Sequence, residues 1–272
     1  ERMHVFMRPA VFAKYPPAHA LLLVPGIWFG LPGLVPVLLS AVSGALVFWL
    51  ARRHAGAPVA LLTWALWTTS DASLYWRASY FSEVTSGAAW LAAAWACTRW
   101  WDTRRGGWLV LAAAVMAVCV LARPLTGAAL SVPLALVAAS RILTARLWRE
   151  AAAAMLVALA LLLLWSVWNA KTLGGWQHDP YSEYSRVYFP FDAPGFGFDA
   201  TPPRVAPPPE LQAVGEQFVG VHTRYTPSAM PVALLARVLN ALLLAEQAWR
   251  YVLVALLLVG AAVAAPAVRL AW

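Results

Sequence analysis

The chain has 272 residues, 62% of them hydrophobic and 12% charged, with a formal net charge of +8. Soluble domains run about 45–50% apolar and about 25% charged, so this composition excludes a soluble globule, a disordered tail and a disulfide scaffold. The basic balance does not point to nucleic acid, because no Lys/Arg-rich run or base-stacking module accompanies it; in a membrane chain it reads as loop charge that sets orientation.

The chain begins with Glu1 rather than Met, followed by loop-like sequence without a signal peptide. It is expected to be a fragment lacking at least one N-terminal span. Residues Ala18–Phe29 are apolar but too short to cross a bilayer, which takes about 20 residues, and are read as an interfacial helix. Seven candidate spans follow: Leu31–Ala51, Ala57–Ser70, Val84–Arg99, Gly107–Ala122, Leu125–Ser140, Ala151–Asn169 and Tyr251–Leu270. Pro36, Pro133 and Pro266 fall inside these runs, where neighbouring helices can satisfy the carbonyls a proline frees. Between the sixth and seventh runs lies the one long polar stretch, Lys171–Arg250. Its prolines favour extended structure, and its aromatic content argues against disorder. The end of this stretch, near 231–249, places Arg237, Asn240 and Gln247 on one side of a helical wheel. That is an amphipathic helix lying on the membrane surface. The expected fold is therefore an all-α polytopic membrane protein. It has about seven transmembrane helices, interfacial helices, and one long extracytoplasmic loop over 170–250, within a single domain over 1–272.

The connections sort by charge. Arg52 and Arg53, Arg99, Arg104 and Arg105, Arg141, Arg146 and Arg149, and Arg269 follow alternate spans. The positive-inside rule puts these connections in the cytoplasm. The other side then carries ten of the twelve acids, all but Asp102 and Glu150. Acids gathered on one face mark where chemistry is expected. Cys97 and Cys119 lie in apolar runs and read as core. Of the 16 Trp residues, many sit near span ends, the pattern of an interfacial aromatic belt.

Four groups of residues can carry chemistry. In Lys14-Tyr15-Pro16-Pro17 the prolines stiffen the chain and hold Lys14 and Tyr15 at the headgroup level, where an ammonium suits a phosphate. The alternative is a snorkelling lysine beside an interfacial tyrosine. The loop Ser70–Glu83 holds Asp71, Arg77 and Glu83. Ionisable groups at membrane depth are functional candidates, although Glu83 also suits a helix N-terminus and Arg77 can form an ion pair with Asp71 or Glu83. Arg123-Pro124 interrupts an apolar stretch and reads as a tight turn on the outer side. If Lys14, Arg77 and Arg123 converge, they suffice to clamp a phosphate. Tyr188, Asp192 and His222 in the long loop suit carbohydrate or acceptor recognition, or else a self-packed loop. The five histidines show no metal-ligand spacing, so no metal and no other cofactor is assigned. Neither a Walker loop nor a serine-hydrolase elbow is present.

Taken in order, Lys14-Tyr15-Pro16-Pro17, Ala78-Ser79-Tyr80-Phe81-Ser82-Glu83, Ala122-Arg123-Pro124-Leu125-Thr126 and the run Tyr188–Gly197 resemble the bacterial GT-C membrane glycosyltransferases. The protein-mannosyltransferase-like and aminoarabinose-transferase-like branches are the nearest. The resemblance implies an inverting transfer from a polyprenyl-phosphate-linked sugar to a protein, lipid or glycan acceptor. The resemblance also implies that the reaction takes place at the extracytoplasmic face of the inner or plasma membrane. It implies that Lys14 and Arg123 lie near the carrier phosphate and Glu83 near the active site. It also implies that the usual catalytic acid, from a first external loop, precedes this chain. Glycosyl transfer needs a base for the acceptor and cations for the leaving phosphate. The candidate roles are thus Glu83 and Asp71 in catalysis, and Lys14, Tyr15, Arg77 and Arg123 at the donor phosphate. Tyr188, Asp192 and His222 are assigned to the acceptor or sugar. A transporter or flippase of an amphiphilic anion, a glycan polymerase or ligase, and a membrane scaffold are the competing classes. The absence of an internal repeat disfavours the transporter.

Overall fold

The computed structural model describes residues 5–6, 12–13, 15–70, 74–75, 79–192, 201–204, 212, 215–216, 219–220, 223 and 226–240. These are helical apart from turns, short loops and one minimal antiparallel pair, β1 (Val5–Phe6) with β2 (Phe12–Ala13).

Pro16 is extended and Pro17 opens α1 (Pro17–Trp28), because proline's fixed φ and missing N–H suit the first helical position. At 12 residues α1 is about 18 Å long, too short to cross, as expected for Ala18–Phe29. The first two predicted spans form α2 (Leu34–Thr69), which folds back on itself. Gly56 leaves the helical region at φ 84°, ψ 173°, with Pro58 just beyond, a conformation only glycine adopts readily. The two arms touch where a Cβ on Gly44 would lie 3.0 Å from the Trp67 ring. An apolar groove of ≈ 590 Å³ runs between them, lined by Gly44, Phe48, Leu61, Trp64 and Trp67 among others.

Next come α3 (Ser82–Thr103), α4 (Gly106–Ala122), α5 (Pro124–Ala145) and α6 (Trp148–Leu173). The core sits where α3 and α4 pack. Ala89, Ala93 and Ala96 of α3 meet Ala112, Met116 and Cys119 of α4, a stripe of small residues that lets backbones approach. In lipid, association rests on such van der Waals contact rather than on the hydrophobic effect. The centre of the bundle is α4, apolar all round and contacted by α1, α3, α5 and α6. Helix α5 folds straight back onto it at Gly127, where a Cβ would stand 2.6 Å from the Val120 backbone.

The described residues contain three helices both long and apolar enough to cross a membrane: α2, α5 and α6. Their outer faces carry exposed Leu, Val and Trp, Leu125 at 88% exposure among them. Such faces fit a bilayer and not water. By length and composition the described residues bear out these three helices, α2 covering the first two predicted spans, and they do not establish the full count of about seven. Helix α3 is long enough but diluted by Ser, Thr and Trp, and α4 has only 17 residues. The seventh segment, Tyr251–Leu270, lies outside the described residues.

Beyond α6, Gly174 caps the helix in the left-handed region, and Asp179 caps α7 (Pro180–Tyr188), accepting a 2.9 Å hydrogen bond from the Ser182 N–H. Residues 230–240 are helical and overlap the stretch near 231–249 where an amphipathic helix is expected. The rest of that helix lies outside the described residues.

Candidate functional site

Polar side chains collect at the two ends of the bundle. One end is tied by Arg53 of the α2 turn, which donates to both Asp102 oxygens from Nε (3.2 Å) and Nη2 (2.8 Å). Trp100 Nε1 there donates to Glu150 at 2.8 Å. The other end holds the start of α3, the α4–α5 turn and the first turn of α1.

At this second end Glu83, in the first turn of α3, pairs with Arg123. Each side chain is about one-third exposed, so the pair is reachable by water. The α3 dipole favours the carboxylate where it stands. Arg123 sits at the joint where α4 ends and α5 begins, with φ −148° and ψ 93°. Its N–H still donates to Cys119 at 2.9 Å and its carbonyl accepts from Gly127 at 2.7 Å. The backbone turn is thus closed on both sides, and proline at 124 costs no hydrogen bond.

His19 braces the same corner. Its Nε2 lies 2.7 Å from the Tyr80 carbonyl oxygen and its Nδ1 2.8 Å from Thr85 Oγ1. A carbonyl only accepts, so Nε2 carries the proton, and Nδ1 pairs with the Thr85 hydroxyl. Thr85 is buried. One imidazole therefore fastens the turn before Glu83 and the residue two after it to α1.

A second polar group lies at this level. Leu109 of α4 packs with Ala154 of α6, and a Cβ on Gly106 would come within 2.9 Å of Glu150 Cγ. The two helices therefore start together and run parallel. At an equal rise per residue, Arg123 and Trp168, fourteen residues further along each chain, mark the same end of the bundle. Around Trp168, the buried Trp168 Nε1, Asn169 Oδ1 and Ser185 Oγ have no hydrogen-bond partner among the described residues. Tyr184 is the buried centre, with Trp168, Tyr188 and Phe189 against it. Its ring lies 4.8 Å from that of Tyr188. Tyr15 reaches the same helix, its ring centroid 6.4 Å from that of Tyr181.

Of the residues expected in the site, Glu83 and Arg123 come together. Arg123 is therefore not a free cation awaiting phosphate but half of an ion pair, and Glu83 is matched by Arg123. Tyr15 and Tyr188 both contact the α7 region, and Tyr188 ends a helix rather than standing in an open loop. Asp192 closes a short 3₁₀ turn, Pro190–Asp192. Lys14, Asp71, Arg77 and His222 lie outside the described residues. Sequence reasoning missed His19 and Thr85. The available signal was a lone histidine in the first turn of an apolar helix, two residues after the proline pair. Among the described residues no three His, Cys, Asp or Glu side chains gather as a metal site.

Chemically, the corner offers a carboxylate that accepts a proton and a guanidinium that binds an anion, both at the mouth of the bundle. The buried Trp168 Nε1, Asn169 Oδ1 and Ser185 Oγ, without partners among the described residues, belong to the same end of the bundle. Comparisons with known protein families, with curated proteins and with solved structures find no match to this chain.

Proposed function

We propose that this chain is a membrane glycosyltransferase that moves a sugar from a polyprenyl-phosphate donor to an acceptor, with inversion. The observation that carries the reading is the Glu83–Arg123 pair held at one end of the bundle by His19 and Thr85. Seven crossings and a cytoplasmic location for the opposite, arginine-rich end complete the topology, which places Glu83 on the extracytoplasmic face.

In the proposed step an acceptor hydroxyl oxygen attacks the anomeric carbon as the bond to the carrier phosphate breaks. The hydroxyl proton passes to a carboxylate, Glu83 or Asp71. Charge appearing on the leaving phosphate meets Arg123, with Lys14, Tyr15 and Arg77 as further contacts. Donor entry then exchanges the Glu83–Arg123 pair for an Arg123–phosphate pair and frees the carboxylate as base. Tyr188, Asp192 and His222 bear on the acceptor or sugar. The groove between the arms of α2 is wide and apolar enough for an isoprenoid tail.

The test is transfer of radiolabelled sugar from polyprenyl-phosphate donors to an envelope acceptor in reconstituted vesicles. E83Q and R123Q are expected to lose transfer while folding normally, and R149Q, an exposed arginine at the far end, to retain it. Wild type inert with every donor, or both variants fully active, overturns the reading.

A further inference from the structure

Arg141, near the C-terminal end of α5, is an arginine in an unusual setting. It is 4% exposed. Its guanidinium lies 4.6 Å from the ring centroid of Trp100 and 4.6 Å from that of Trp101. Neither Nε nor either Nη has a hydrogen-bond partner among the described residues. The group stays charged at any physiological pH and carries five N–H donors in one plane. Two indoles satisfy its faces by cation–π attraction but accept nothing in that plane. An unbonded buried charge is costly, so the donors need acceptors.

The local acids do not supply them. Both Asp102 oxygens accept from Arg53, and Glu150 accepts from Trp100. Arg104 lies within electrostatic reach of Arg141 along with these two acids, adding a second cation where anions are already engaged. Across this end of the bundle, residues 52–54, 99–105 and 141–150 hold eight arginines against those two acids.

The geometry points to a phosphate-binding site at Arg141, on the end of the bundle opposite Glu83. A phosphate oxygen pair matches the guanidinium fork, and basic pockets between helix ends are where anionic headgroups bind. Of the two indoles on the guanidinium, Trp100 is buried and Trp101, 47% exposed on the last turn of α3, is the outer cover. Swinging this indole outward is the entry step. The inference is independent of the glycosyltransferase reading, which concerns the other end. The phosphate can come from an anionic lipid headgroup or from free phosphate.

Native mass spectrometry of the detergent-solubilised protein tests it, titrated with phosphatidylglycerol, with phosphatidylcholine and with inorganic phosphate. One retained phosphatidylglycerol is expected in the wild type, with affinity at least tenfold lower in R141Q and unchanged in R149Q. Displacement by millimolar inorganic phosphate, or a phosphate adduct alone, supports the site and identifies free phosphate as its ligand. Neither ligand retained, or R141Q binding as the wild type does, overturns it. Should R141Q not fold, W101A decides, because removing the cover is expected to raise affinity. Unchanged or weaker binding by W101A overturns the site.

Discussion

Gly127→Ala tests the packing that builds the Arg123 corner. A Cβ at 127 would stand 2.6 Å from Val120 Cα, 2.6 Å from Val120 N and 2.8 Å from Cys119 C. These are backbone atoms of α4 and cannot rotate aside, so α5 must move by about 1 Å to restore contact near 3.5 Å. Overpacking of this kind costs about 1–3 kcal/mol. With three backbone atoms involved, the upper end applies. The better helix propensity of Ala returns no more than about 1 kcal/mol. The net expectation is a loss of about 2 kcal/mol, or a midpoint about 4–8 °C lower. Cys119, fully buried and itself part of the clash, is a built-in reporter in a Cys97→Ala background that removes the other free thiol: a thiol-reactive fluorophore labels it only as the bundle opens. Gly87→Ala is the paired control. Its Cβ would meet nothing within 4 Å, so the same chemical change should be neutral or stabilising by up to about 1 kcal/mol. Equal midpoints for the two variants would refute the claim that glycine at 127 is there for close approach.

Four further expectations follow from the geometry. His19→Ala leaves the buried Thr85 hydroxyl without its imidazole partner and should cost about 1–3 kcal/mol in the same thermal assay, more than His19→Gln, whose amide can replace one bond. Gly56→Ala forces a side chain into a region reserved for glycine and should cost about 1–3 kcal/mol; Gly56→Asn should not rescue it, since asparagine tolerates the left-handed helical region and not ψ 173°. Reversing the ion pair with E83R and R123E together should restore a thermal midpoint that either single change lowers, yet leave sugar transfer lost, because phosphate would then face a carboxylate. Cysteines placed at Tyr188 and Arg105 should react with an impermeant thiol reagent from opposite sides of the membrane; reaction from one side would break the proposed topology.

Helix ends were legible where the chain changes character abruptly. Pro17 and Pro124 each take a first helical position where an apolar run begins, whereas the helix opened by Pro180 lay in a stretch read as loop, and α3 and α5 run on to left-handed Arg104 and Arg146, beyond the predicted ends at Arg99 and Ser140. Glu83 and Arg123 were also legible as charges in apolar surroundings. That they pair was not, because residues 40 apart meet only through the stacking of α3 on α4. The alanine stripe that sets this stacking resembles ordinary apolar filler. His19 was weighed for metal spacing alone, whereas its role depends on a carbonyl and a hydroxyl more than 60 residues away. Arg141 fitted the pattern of loop charge so well that its burial went unseen. Position at a span end predicts solvent, and only the two tryptophans folding across it remove that solvent.

The shortness of α4 bears on where the membrane surface lies. Its 17 residues rise only about 26 Å, less than the roughly 30 Å thickness of hydrocarbon, while the parallel α6, starting beside it, has 26 residues. The Arg123 joint therefore lies below the rim set by α6, as the floor of a basin. In the proposed topology lipid would meet this step at the start of α5, where Leu125 is 88% exposed, and a locally thinned bilayer would bring headgroups and water down toward Glu83. A substrate with a greasy tail and a charged head would not have to lift out of the bilayer to reach the ion pair; the bilayer would dip to deliver it.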